Sequence, residues 1–212
     1  IKVAQRLTYR QVQSYLEGGD SEEGLEEMLE RLKGMDQLAG ALKKRRLQRR
    51  ALDLDLPEAD IKLDSRGYPV SIERRNLGRA ESLIEEFMIL CNEVIAGHFN
   101  RKDLPGLYRV HAVPEEEKMK AFMEIISFLG YRLPGKPDQV TQHHLNQLLR
   151  SSQGKKEERL IKYLLLRSLP QARYSATNEG HFGLASGCYT HFTAPIRRYP
   201  DLIVHRLLSG YG

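Results

Sequence analysis

The chain has 212 residues, of which 33 are Lys or Arg and 28 are Asp or Glu, giving a formal net charge of +5. A hydrophobic content of 41% suffices for a buried core, and no apolar run approaches the roughly 20 residues of a membrane-spanning helix. The two cysteines, Cys91 and Cys188, form no CxxC or Cys/His pattern, which excludes a disulfide framework or structural zinc and makes a reducing cytoplasm the expected setting.

In chain order, residues 1–8 read as an extended piece leading into a helix over "YRQVQSYLEG". The N-terminus has neither the apolar core nor the cleavage site of a signal peptide. It also lacks a starting methionine, so the chain is expected to be part of a longer one. "GGDSEEGLEEMLERLKGMDQLAGALKKRRLQRR" predicts a long helix, with Asp20 or Ser21 as N-cap, acids in the first turn and bases in the last. Leu25, Met28, Leu29, Leu32, Met35, Leu38, Ala39 and Leu42 recur at the three-and-four spacing of one buried face. "ALDLDLPEADIKLDSRGYPVSI" alternates apolar and polar residues around an "SRG" turn and predicts strands near 51–56, 60–64 and 68–72.

The clearest helix is predicted over 78–98, followed by a connector and by helices near 114–129, 141–151 and 155–167. Residues 170–194 are rich in Gly, Ser and Thr and read as irregular or strand structure. "DLIVHRLLSG" predicts a terminal helix with Gly210 as its stop. No repeat and no long polar linker interrupts the chain, so one domain over 1–212 is expected: helix-rich α/β in the α+β sense, with a small antiparallel sheet and surrounding helices.

The chemistry concentrates in "THFTAPIRRYPD". Pro195 and Pro200 suit a first helical turn and not its interior, which places Arg197 and Arg198 at or just before a helix N-terminus. Free N–H groups and the positive dipole end already favour anions there, and guanidinium forks add planar, bidentate phosphate recognition. His191, Phe192 and Tyr199 are placed to stack on bases or to steady the loop. An Arg–Asp capping network, with Asp201 or Asp103 as partner, explains the same residues. On residue types alone both readings stay open.

Glu85 and Asn92 lie seven apart on the 78–98 helix and nearly eclipse one another, bordering an apolar arc of Leu83, Ile84, Phe87, Met88, Cys91, Val94 and Ile95. They read either as ordinary boundary residues or as a carboxylate and amide facing a sugar hydroxyl. Asp53 and Asp55 share one face of the predicted 51–56 strand, an arrangement Mg²⁺ accepts, but solvent-side Asp on an edge strand is commonplace. "KKRRLQRR" (Lys43–Arg50) reads as a helix C-terminus or a phosphate grip. His143 and His144 point about 100° apart on a helix and do not chelate. No zinc-binding histidine motif, serine nucleophile elbow or P-loop is present.

Four stretches, in order, resemble the catalytic (RNB) domain of the ribonuclease II and ribonuclease R family: "AQRLTYRQV", "LIEEFMILCN" with "GHF", "LYRVHAVPEEEKM" and "GHFGLASGCYTHFTAPIRRYPDLIVHR". The "RRYPDL" ending is nearest to the ribonuclease R branch. The resemblance implies an Mg²⁺-dependent, processive 3′-to-5′ exoribonuclease that hydrolyses single-stranded RNA to nucleoside 5′-monophosphates, with a monomer expected. It implies that Arg197 stabilises the scissile phosphate, that Arg198 supports it, and that Glu85 lies near the terminal ribose with Asn92 on the same helix. It further implies that Tyr9 positions the 3′-terminal nucleotides, with His191 beside the arginines on the RNA.

Two departures stand out. The family's base-clamping phenylalanine falls where this chain has Leu54. Its DxxxxxDxDD-like magnesium cluster does not occur in the 212 residues, and Asp53 and Asp55 occupy another place in the family order. The Mg²⁺ ligands are therefore expected upstream, in an N-terminal part of the same domain, and the chain alone is expected to be inactive. The alternative is an inactive RNB-like RNA-binding or scaffold protein.

Overall fold

In a computed structural model of the chain, residues 3, 5–19, 26–54, 58–75 and 78–211 are described. Among them run α1 (Tyr9–Leu16), α2 (Glu26–Gln48), β1 (Glu58–Leu63), β2 (Pro69–Arg75), α3 (Arg79–Arg101), β3 (Tyr108–Val110), α4 (Glu116–Phe128), α5 (Gln142–Ser152), α6 (Glu158–Ser168), β4 (Arg173–Ser175) and α7 (Tyr199–Tyr211). The strands form two antiparallel pairs, β1–β2 and β3–β4. Helix dominates, as the helix-rich α+β reading expects. Contacts divide the chain into a first unit (1–44 and 57–88) and a second (45–56 and 89–212).

In the first unit, α1 opens with a capping box. Thr8 Oγ1 accepts from the Gln11 amide at 3.2 Å, and Gln11 Oε1 accepts from the Thr8 amide at 2.9 Å, so two orphan donors are satisfied reciprocally. Gln13 Oε1 accepts from the Ala80 amide at 3.0 Å, while Arg79 donates to the Leu16 carbonyl and pairs with Asp36, tying α1, α2 and the start of α3 together. The predicted N-caps Asp20 and Ser21, and Leu25, lie outside the described residues. On α2, Leu32 and Ala39 are buried, but Met35 and Leu38 are exposed, so the buried stripe is narrower than the sequence implies.

The β1–β2 hairpin turns where "SRG" predicts it. Asp64 Oδ1 accepts from the amides of Arg66 and Tyr68, and Gly67 takes the left-handed φ of 83° that the turn requires.

The second unit carries two apolar clusters. The larger joins Met119, Phe122 and Ile126 of α4 to Leu145 and Leu149 of α5 and Ile161 and Leu165 of α6. The smaller joins Ala96 and Phe99 of α3 to Tyr108, Val110 and Val204. The strand predicted over 51–56 does not form in the described part: residues 51–54 carry no ladder. Their backbone groups find other partners, since the Leu52 amide donates to the Gly183 carbonyl at 2.8 Å and the Asn146 side-chain amide donates to the carbonyls of Arg50 and Ala51. With its polar groups satisfied this way, the segment buries Ala51 and Leu52 without a partner strand. Asp53 is exposed on it, and Asp55 lies outside the described residues.

Four of the described helices end on one device, α1 among them with Gly18 (φ 87°) at the left-handed position. At α4 the Tyr131 amide reaches back to the Ile126 carbonyl and Gly130 (φ 82°) to that of Ser127, the paired bonds of a Schellman motif. Helix α2 repeats it with Arg50 (φ 74°) and α3 with Asp103 (φ 49°) at the left-handed position. Neither residue is a glycine, which is why the sequence does not announce these two stops. Gly210, the expected stop of α7, lies within its last turn.

Candidate phosphate-binding site

The segment 189–201 has almost no regular structure before α7, yet it is fixed by bonds from three elements. From α3, Asn92 donates through Nδ2 to the Tyr189 hydroxyl and accepts at Oδ1 from the Phe192 amide, both at 2.9 Å. On the β3 side, the Arg109 amide donates to the Tyr189 carbonyl at 2.8 Å, and the Leu107 carbonyl accepts from the Thr190 hydroxyl. From α7, His205 Nε2 donates to the Phe192 carbonyl at 2.9 Å, and the two rings stack with centroids 3.9 Å apart.

Beyond these anchors the chain makes the turn 194–198. The Ala194 carbonyl accepts from the amides of Arg197 and Arg198. Asp201, fully buried in the first turn of α7, accepts through Oδ1 from the Ala194 amide at 2.8 Å and from Arg198 Nη2 at 2.7 Å. Its other oxygen and Arg198 Nε are buried without a hydrogen-bond partner, so the ion pair is end-on and not bidentate.

The two neighbouring arginines thus have different surroundings. Arg198 is half-buried and held by Asp201, as the capping reading has it. Arg197 is exposed, and its guanidinium has no partner among the described residues. Helix α7 begins at Tyr199 with Pro200 in its first turn, so Arg197 stands just before a helix N-terminus.

His191 Nδ1 and the Tyr174 hydroxyl share a hydrogen bond at 2.7 Å, and Arg109 lies over the Tyr174 ring at 4.7 Å. A run of ring contacts continues edge-to-face through Tyr189 to His181 and then, tilted, to His111. His111 Nδ1 accepts from the Gly183 amide and Nε2 donates to the Pro170 carbonyl, which fixes the neutral tautomer. Burial, then Arg109, pulls the His111 imidazole below its ordinary value against the Pro170 bond. Burial, reinforced by His111 and Arg109, holds His181 down to about 4. Burial together with the nearby Arg198 does the same to His191, also to about 4. At neutral pH all three rings are uncharged.

Beside His111 and His181 opens a pocket of about 940 Å³ in the second unit. Leu52, Leu54 and Leu169 contribute apolar surface, Arg109, Lys118 and Arg167 contribute charge, and no carboxylate is among its described lining residues. Leu54, the residue at the expected clamp position, is half-buried against the larger core cluster and lines this pocket, where the rings are imidazoles.

Asn92 is 3% exposed, in the middle of the buried stripe of α3 and not at its border, and its amide holds the 189–192 segment. Glu85 is half-buried and Tyr9 is half-exposed; both belong to the first unit. Glu86, one residue after Glu85, is the carboxylate that is buried, at 2% exposure. Sequence reasoning named Asp201 only as a capping partner and missed His111, His181 and Tyr174. The histidines sit in "RVHAV" and "EGHFG", with no spacing that links them, and only the β3–β4 pairing and the bridge between His111 and His181 bring them together.

The described residues contain no group of three His, Cys, Asp or Glu that could hold a metal ion. Burial raises the thiols of Cys91 and Cys188, so neither is an activated nucleophile. No helix among the described residues is long and apolar enough to cross a membrane.

A family model described as "RNB domain" matches residues 1–211. Ribonuclease R 1 of Lactococcus lactis is 39% identical over 100% of this chain, and Ribonuclease R of Aquifex aeolicus is 40% identical over 99% of it. The chain spans 26% and 30% of those two proteins. Among solved structures, Mycoplasma genitalium RNase R in complex with ribose-methylated single-stranded RNA is similar at a TM-score of 0.88 and 33% identity, covering 94% of this chain and 31% of that one. Yeast Ssd1, a pseudonuclease, shares the fold at a TM-score of 0.66 and 22% identity, covering 95% of this chain and 25% of that one.

Proposed function

Because the chain belongs to the RNB-domain family, we propose that it supplies the phosphate-contacting arginine and part of the strand-binding wall of a processive 3′-to-5′ exoribonuclease, which releases nucleoside 5′-monophosphates from single-stranded RNA. The observation that carries the reading is the guanidinium of Arg197, without a partner among the described residues, exposed on a turn braced from beneath and set before a helix N-terminus. The fixed backbone of the turn keeps this cation at one place on the surface, free of any competing carboxylate, where it can meet a phosphate as negative charge develops on it.

In this reading the cations of the pocket lead the RNA backbone, and the uncharged imidazoles of His111 and His181 offer flat faces where the family places a phenylalanine. Arg198 and His191 act through the turn and its packing. Asn92 fixes the segment that carries them. For Glu85 and Tyr9 the roles of ribose contact and 3′-end positioning rest on the family resemblance. The residues described here do not assemble a magnesium site. Mg²⁺, which when bound would activate water and neutralise the leaving oxygen, is assigned to aspartates outside the 212 residues. The chain by itself is then inactive.

The test is the full-length protein that contains this chain, with Mg²⁺ and 5′-labelled single-stranded RNA. Stepwise shortening from the 3′ end is expected, and Arg197→Ala should slow it a hundredfold or more while RNA affinity changes little. A protein that binds RNA and never shortens it would instead be an inactive scaffold of the same fold, as the likeness to a pseudonuclease allows. Matched DNA and RNA strands separate either from a DNA-binding module.

A further inference from the structure

We propose that Asp201 is a positioning residue for Arg197, holding the 194–198 turn in the shape that presents the arginine. This rests on the reading of Arg197 as the phosphate contact. An aspartate in the first turn of a helix ordinarily serves its own helix, through the dipole or by accepting its free amides. The bonds of Asp201 go elsewhere: Oδ1 accepts from the Ala194 amide, at the start of the turn, and from Arg198 Nη2, at its end. One carboxylate oxygen therefore closes the turn from both sides, and the Ala194 carbonyl closes it again by accepting from the amides of Arg197 and Arg198.

Burial makes this arrangement informative. Asp201 is 0% exposed, and a charged oxygen in that position is costly unless its partners are fixed. Its Oδ2 and Arg198 Nε are buried and unpaired, so the arrangement is not one that maximises hydrogen bonding for stability. What the geometry secures is a division of labour between adjacent arginines. Arg198 is drawn inward to the carboxylate, and Arg197, one residue earlier on a turn that cannot rotate freely, is left outward and uncommitted. Without Asp201 the inward cation loses its partner, and both guanidiniums compete for whatever anion the site holds.

The experiment uses the full-length protein with Asp201→Ala, Asp201→Asn, Arg197→Ala and the Asp201→Ala/Arg197→Ala pair. Amide hydrogen exchange reads the turn directly. Exchange at Ala194, Arg197 and Arg198 is expected to speed up tenfold or more in Asp201→Ala, with the α4–α6 core unchanged. Asp201→Asn, which keeps an acceptor for the Ala194 amide but loses the charge facing Arg198, should fall between wild type and alanine. It also serves as the variant of record if Asp201→Ala does not fold. In single-turnover cleavage, Asp201→Ala is expected to lower the chemical rate at least tenfold with RNA affinity within about threefold of wild type, and to cost nothing further in the Arg197→Ala background.

Unchanged exchange at the turn in both Asp201 variants overturns the proposal. So does an equal loss of rate with and without Arg197, the signature of a merely structural residue. If Arg197→Ala cleaves like wild type, it is the phosphate reading of Arg197 that fails, and the exchange data still decide whether Asp201 holds the turn.

Discussion

Acidification should destabilise the second unit through its buried imidazoles. His181 and His191 ordinarily titrate at 6.5 and are held at about 4 in the folded chain. The folded state therefore resists protonation, whereas the unfolded chain takes up protons as soon as the pH falls below 6.5. Stability is intact above that value and is lost progressively down to about 4. At about pH 5 a group with this displacement costs about 2 kcal/mol of stability. Both rings keep partial contact with solvent and share Arg109 as a neighbour, so together they should cost about 2–3 kcal/mol and not the full doubled value. Urea denaturation at about pH 7.5 and about pH 5 measures the difference. The His181→Gln/His191→Gln variant, less stable at neutral pH, should lose under about 1 kcal/mol over the same interval. Equal stability of the wild type at the two pH values would refute the reasoning, as would an undiminished loss in the double variant.

Further consequences are open to direct measurement. Asn92→Ala strips a buried acceptor from the Phe192 amide and a donor from the Tyr189 hydroxyl, and should cost about 2–4 kcal/mol in a denaturation midpoint. Phe122→Ala, at 2% exposure in the larger cluster, should cost about 3–5 kcal/mol by the same assay. Arg50→Gly should stabilise by up to about 1 kcal/mol, because the residue sits at φ 74° where a glycine is unstrained. If Arg109 and Arg167 line the RNA path, each alanine substitution should lower affinity for single-stranded RNA and reduce the slope of log affinity against log salt by about 0.7, measured by fluorescence anisotropy on the full-length protein.

Much of the architecture is legible in the amino-acid order because it follows periodicity. The 3.6-residue pattern located α3 to α6 within a few residues, and "SRG" marked the hairpin turn. Legibility stops where satisfaction of polar groups is non-local. "ALDL" alternates like a strand, yet Gly183 and Asn146, far along the chain, provide its hydrogen bonds. Asn92 borders an apolar arc on a helical wheel but is buried, because Tyr189 and Phe192 satisfy its amide. At the site, two prolines and two adjacent arginines were enough to name both an anion site and a capping network. Residue types alone could not say that Arg198 would pair with Asp201 while Arg197 stays exposed, since that depends on which side of a closed turn each side chain leaves.

The bonds that fix the 189–192 segment join residues very distant in sequence: 100 positions between Phe192 and Asn92, 97 between Tyr189 and Asn92, and 83 between Thr190 and Leu107. Each requires a large loop to close before it forms, and such contacts are the slow ones in folding. Helices α4 to α6, whose cluster is built from near neighbours in the chain, can gather first. The arginine turn is thus among the last features to mature. During synthesis, a chain whose core has already condensed would still lack a fixed 189–192 segment until α3 and the approach to α7 meet. A closed turn with Arg197 outside it is in this sense a report that folding has finished.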